Sequence, residues 1–214
     1  MEQPAQLLQS IIQTVVAQPA LHAKWLNTLS MMENTGSRKI SRFEHPVETD
    51  IMILKHAAEE ARHAYYLKKQ IAKIEGELCP DYSFQYLLAP VASYQYLHHL
   101  DVSASRYLKK ELKLDGWAMR QAAYLLVTYA IEVRADMLYG IYQQELTAIG
   151  SRVNVKSIIL EEEGHLAEMT RMLKTFSPDW ERIAAEICAV EDALFHNWLK
   201  GLKVVLEQPQ AAQA

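Results

Sequence analysis

Cysteine is nearly absent from this chain of 214 residues, and the two present, Cys79 and Cys188, stand far apart. That excludes a disulfide framework and a cysteine-rich zinc or rubredoxin-type site, so any metal has to be held by histidine and carboxylates. Glycine and proline are sparse as well, at seven each. So little punctuation implies long elements, and no strand pattern competes with them. Nor is there an unbroken apolar run of the ~20 residues that a bilayer crossing needs. The charge balance, 22 basic against 26 acidic side chains for a formal charge of −4, lacks the basic footprint of a nucleic-acid-binding surface. The first twenty residues carry no basic cluster ahead of an apolar core and a small-residue cleavage site. They do not read as a secretory signal, and a cytoplasmic location is expected.

About half of the residues are apolar, and they recur with a period near 3.6. The expected fold class is therefore all-α, with a single domain over 1–214. The spacing predicts helices over about 4–17, 20–42, 47–74, 91–113, 116–147, 152–176 and 178–206. Pro19 separates the first two. Pro46 suits the first turn of the third, with Glu48 and Asp50 near its positive end, and Gly76 and Pro80 close it. Asp115 is placed to cap the helix from 116, Gly150 to end it, and Ser151 or Asn154 to open the next. The tail from Gln208 is expected to fray.

Two of these helices carry the same short pattern, Glu60-Ala61-Arg62-His63 and Glu162-Glu163-Gly164-His165. A Glu followed three residues later by a His places both side chains on one helix face. Random placement of the chain's Glu and His would supply less than one such pair, so the pattern counts for little until its position is considered. Glu60 and His63 lie in line with Ile53 and Ile74, and Glu162 and His165 with Val155, Ile158, Met169 and Met172. Acidic groups thus interrupt apolar stripes. Glu33 does the same between Leu29 and Ile40, and Glu132 between Tyr129 and Tyr139. An unpartnered buried carboxylate costs several kcal/mol at least, so four converging in a core need cations among them. The bland alternative is a set of solvated i,i+3 surface pairs, since Glu59 and Arg62 show that charge is common on the same helix.

Around a turn at 149–151, Glu132 lies 17 residues away and Glu162 only 11. That is a mismatch of ~9 Å, to be absorbed by an asymmetric loop or a helix bulge. Asp136, one turn later, is the alternative. His56, four residues before Glu60, shares its face and is either a third histidine ligand or a packed side chain. Tyr66 and Tyr129 are one turn from His63 and Glu132, as redox partners or as groups that hold a ligand from behind. Of Glu161, Glu162 and Glu163 only one can point inward, the other two being solvated. His22, His98, His99 and His196 have structural or surface roles, and Lys55, Arg62 and Arg134 can pair with outer carboxylates.

One Glu from each of two helices, plus a Glu-x-x-His from each of two others, resembles the ligand set of the ferritin-like di-iron and di-manganese carboxylate bundles. The resemblance covers about 20–75 and 116–176. It implies a four-helix bundle with a dinuclear metal centre and additional helices. Glu33 and Glu132 would be terminal or bridging ligands, Glu60 and Glu162 the carboxylates of the paired motifs, and His63 and His165 one nitrogen ligand per metal. The second His motif is similar to the rubrerythrin-like, ribonucleotide reductase small-subunit-like and oxygenase-like branches. The chain departs from rubrerythrins in lacking a cysteine-rich module and in having Ala135 where their third helix tends to offer another Glu.

Such carboxylate-rich coordination suits hard redox metals, and one His per metal leaves positions open. The implied cofactor is two Fe ions, with Mn or a mixed Mn/Fe pair as alternatives. The implied function is activation of O₂ to oxidise or oxygenate a small organic substrate, with an electron-donor protein and a second copy of the chain as partners, and with neither nucleic acid nor membrane. A ferroxidase or iron-handling protein, a di-manganese catalase and a metal-free helical interaction protein are the rival readings.

Overall fold

The computed structural model describes residues 3–48, 50–74 and 79–208. Seven α-helices and one short 3₁₀ turn are found among them: α1 (Pro4–Val16), α2 (Pro19–Ser41), α3 (Ile51–Ile71), the turn at Phe84–Tyr86, α4 (Pro90–Glu111), α5 (Gly116–Ala148), α6 (Lys156–Phe176) and α7 (Trp180–Glu207). No strand occurs among the described residues. Nor, among them, is any helix long and apolar enough to cross a membrane.

Local chemistry sets most of these boundaries. Pro4, Pro19 and Pro90 each open a helix, where the missing N–H costs nothing. α3 begins at Ile51 rather than at 47, leaving Pro46 outside it. The reason is that the His45 ring accepts from the N–H of Glu48 at 2.9 Å, building a separate turn, while the Asp50 carboxylate accepts from Met52 N–H at 2.8 Å and caps the helix there. α3 closes at Ile71, short of Ile74, and Gly76 lies outside the described residues, as does the tail beyond Gln208. Asp115 precedes α5 without a side-chain cap.

The end of α5 is a Schellman turn. Gly150 adopts φ 63°, Ser151 N–H donates to Leu146 O at 2.9 Å, and Gly150 N–H donates to Thr147 O at 3.1 Å. Ser151 and Asn154 do not open α6, which starts after Val155. The seven residues 149–155 instead run back along α5, where Val155 N–H donates to Gln143 Oε1 at 2.8 Å. Pro178 likewise lies just before α7.

The helices pack in pairs, α2 along α3, α5 along α6 and α4 against α7, while α1 lies on α5 and α7. α2 and α3 are antiparallel: Ser37 Oγ–H donates to Ala57 O at 2.6 Å, and seven residues earlier Ser30 Oγ–H donates to Ala64 O at 2.7 Å. Two apolar clusters form the core. One gathers α1, Trp25, Leu67, Tyr142 and the stacked rings of Trp25 and Trp198, 5.7 Å apart. The other gathers Ile40, Ile53, Leu108, Leu126, Met169 and Ile187. Between them, every one of α2, α3, α5 and α6 carries its acidic interruption: Glu33 between Leu29 and Ile40, Glu60 and His63 between Ile53 and Leu67, Glu132 between Ala130 and Leu138, and Glu162 and His165 between Ile158 and Met169.

Candidate metal centre

Ligand atoms of the six side chains meet in two overlapping groups, Glu33–Glu60–His63–Glu162 and Glu60–Glu132–Glu162–His165. Within each group the atoms lie no more than 4.8 Å apart, and Glu60 and Glu162 belong to both. Five of the six are buried, and Glu33 is partly so. Asp136 is exposed on α5 and takes no part: four residues beyond Glu132, its side chain is turned about 40° from the buried face, toward solvent.

The two motif helices are antiparallel as well. His56 faces Glu168, Glu59 faces His165 and His63 faces Glu161, so seven residues forward on α3 correspond to seven residues back on α6. This register makes the site nearly two-fold. His63 Nε2 is 2.9 Å from Glu161 Oε2, and His165 Nε2 is 2.7 Å from Glu59 Oε2. A carboxylate accepts, so each contact puts a hydrogen on Nε2 and aims Nδ1 at the centre. Each motif is thus Glu-Glu-x-x-His, in which the first Glu orients the other helix's histidine and the second faces inward. By sequence alone Glu59 and Glu161 count as solvated charge. The signal lay in the doubled Glu, which recurs at the same spacing from His63 and His165. Glu161 also pairs with Arg62, and Lys55 reaches Glu168 at 2.6 Å.

The electrostatics fit cations. Burial, and then the charges of Glu33, Glu162 and Glu132, push Glu60 well above the usual carboxylate range. Burial and Glu162 do the same to Glu132. Burial opposes the charge of Glu162 too, but Glu132, His165 and His63 around it hold its carboxyl below the ordinary value. His165, although buried, is pushed up to about 11 by Glu132 and Glu162. Four carboxyl groups therefore compete for too few positive charges. Two buried atoms in the middle, His63 Nδ1 and Glu132 Oε2, make no hydrogen bond; His63 Nδ1 is 3.1 Å from Glu162 Oε1 but not aligned to it. Orphaned donor atoms of this kind, in a nitrogen-and-carboxylate set, are what a divalent cation would complete. The group could hold a metal ion.

Other expected participants lie elsewhere. His56 is not a third ligand: its Nδ1 is 2.6 Å from Tyr124 Oη and its Nε2 2.9 Å from Glu168, so both nitrogens are engaged. Tyr66 donates to Asn154 Oδ1 at 2.9 Å, and Tyr129 packs edge-on against Trp180. The tyrosine at the site is Tyr139, which donates to Glu33 Oε1. Seven residues after Glu132 is two turns, only about 20° off its face, whereas three residues before it is about 60° off, which is why Tyr139 and not Tyr129 arrives. Gly36 was also unforeseen. A Cβ there would sit 3.3 Å from Glu60 Oε2, so the bare backbone of α2 gives the Glu60 carboxylate its room.

Glu33, Glu60 and Glu132 also form part of the wall of a cavity of about 120 Å³ between α2, α4, α5 and α7. The rest of its lining is mainly aliphatic and aromatic, including Leu29, Ile40, Leu100, Ile131 and Phe195. No family model matches the chain, and neither a curated protein nor a solved structure matches it significantly.

Proposed function

We propose that this chain is a ferritin-like dinuclear carboxylate protein that holds two iron ions and uses O₂ to oxidise or oxygenate a small organic substrate. The observation that carries the reading is the pair of overlapping ligand groups sharing Glu60 and Glu162. Each group offers three carboxylates and one histidine, and two divalent ions balance the four negative charges. In this reading Glu33 and His63 serve one ion, Glu132 and His165 the other, and Glu60 and Glu162 both. A ferrous pair held by these six side chains would supply two electrons to O₂. The protein's own part is to position and to exclude water. Glu59 and Glu161 fix the imidazoles, Tyr139 steadies Glu33, and the apolar cavity beside Glu33, Glu60 and Glu132 keeps a substrate next to the centre. That cavity favours an organic substrate over the ferroxidase and catalase readings, neither of which calls for an apolar chamber.

The test is to load metal-free protein with ferrous iron without air and then admit O₂. The expected result is an absorbance change that saturates at two irons per chain and is absent from Glu162→Ala. A change that grows with iron well beyond two per chain, and is unaffected by that substitution, would support iron handling instead.

A further inference from the structure

We propose that the cavity between α2, α4, α5 and α7 takes a neutral, unbranched aliphatic chain; that this chain is the substrate rests on the function proposed above. Shape is the first argument. Along α2 the lining runs from Leu29 to Phe43, and along α5 from Tyr124 to Tyr139. At 1.5 Å per residue each wall is roughly 21–23 Å long. A volume of about 120 Å³ spread along such walls is longer than it is wide, a shape that an extended chain follows better than a compact ring system does.

Charge is the second. Two cationic side chains reach the lining, and both are already neutralised. Lys39 Nζ lies 2.5 Å from Asp101 Oδ2 and donates to Leu97 O at 2.9 Å. Arg134 donates to both carboxylate oxygens of the buried Glu191, at 3.0 Å from Nε and 2.6 Å from Nη2. An anionic headgroup would have to break one of these pairs while facing Glu33, Glu60 and Glu132, whereas an uncharged chain displaces nothing. A lining that is mainly aliphatic and aromatic takes up hydrocarbon in preference to a polar ligand. The carboxylates of Glu33, Glu60 and Glu132 lie along the wall between its two ends, inside Leu29–Phe43 on α2 and Tyr124–Tyr139 on α5, which places part of the chain beside the proposed metals.

The experiment is calorimetric titration of the intact protein, with and without iron, using n-octanol, octanoate and cyclooctanol. The expected result is saturable binding of one n-octanol per chain in both forms, with octanoate and cyclooctanol at least tenfold weaker. Leu97→Phe, which adds bulk to the lining from α4, a helix that carries none of the six ligands, should weaken n-octanol at least tenfold and leave the iron content of the same sample unchanged. Should this variant fail to fold, Leu100→Phe on the same wall takes its place. Iron present without saturable n-octanol binding, or octanoate and cyclooctanol binding as well as n-octanol, overturns the inference. Octanol binding in a protein that takes up no iron would instead overturn the proposed function and leave the cavity's preference standing.

Discussion

Glu60 and Glu162 each contribute to both halves of the cluster, whereas Glu33 and His63 contribute to one half and Glu132 and His165 to the other. The residues should therefore fall into two classes. Glu60→Ala or Glu162→Ala should abolish bound metal while the helical circular dichroism persists, and Glu33→Ala should retain about half of it, as read by elemental analysis. Proton linkage is the second residue-scale consequence. Glu60 and Glu132 are held above the carboxylate value of 4.5, and His165 is raised from 6.5 to about 11, so metal uptake near neutral pH must expel protons. A raised pKa contributes stability that is present below the unfolded value and lost as pH climbs through the folded one. Metal-free protein should accordingly lose thermal stability as pH rises from 4.5, where unfolded carboxyls ionise while Glu60 and Glu132 stay protonated, and further between 6.5 and 11 as His165 gives up its proton. Glu162 has the opposite sign, its contribution fading as pH falls below 4.5. Gly36→Ala separates site from fold. Ala is the better helix former by about 1 kcal/mol, yet its Cβ crowds the Glu60 carboxylate. Metal affinity should drop about tenfold, a size typical of altered support around a ligand, without loss of melting temperature.

At the scale of helices, legibility followed the source of each constraint. The amphipathic stripes of α2, α3, α5 and α6 are local, so their existence and the inward faces of Glu33, Glu60, Glu132 and Glu162 could be read from periodicity. Helix starts were read less well, because Pro46 and Ser151 are competent openers that lose to neighbours: the His45 ring and Asp50 in one case, and the extended return of 149–155 in the other. That return also explains how Glu132 meets Glu162 despite the expected mismatch. Counted from Gln143 and Val155, the two Glu lie 11 and 7 residues away, leaving ~6 Å rather than ~9 Å for side chains to span. The cross-helix contacts of Glu59 with His165 and of Glu161 with His63 depend on the α3–α6 register, which no single helix encodes. Gln143→Ala strands the N–H of the buried Val155 and should cost roughly 1–3 kcal/mol in denaturant unfolding. An unchanged midpoint would mean that the loop is held by other contacts.

The whole molecule sets a belt of charge between two apolar clusters, with α4 and α7 closing one side. A second buried polar tie lies on that side, where Arg134 on α5 meets Glu191 on α7 and Tyr96 on α4 donates to the same carboxylate at 2.6 Å. Arg134→Met leaves Glu191, 2 % exposed, without its cation and should destabilise by about 3–5 kcal/mol, whereas replacing both members with apolar residues should cost far less. The belt differs from this tie in having no internal cation sufficient for its four carboxyl groups. Under the proposed function two metal ions balance those charges, and O₂ chemistry at this site depends on their presence. Elemental analysis of the freshly purified, full-length protein, expressed with iron available, therefore addresses the matter most directly. Two transition-metal ions per chain, falling to none in Glu60→Ala, is the expected result. A folded chain carrying no stoichiometric metal would contradict it.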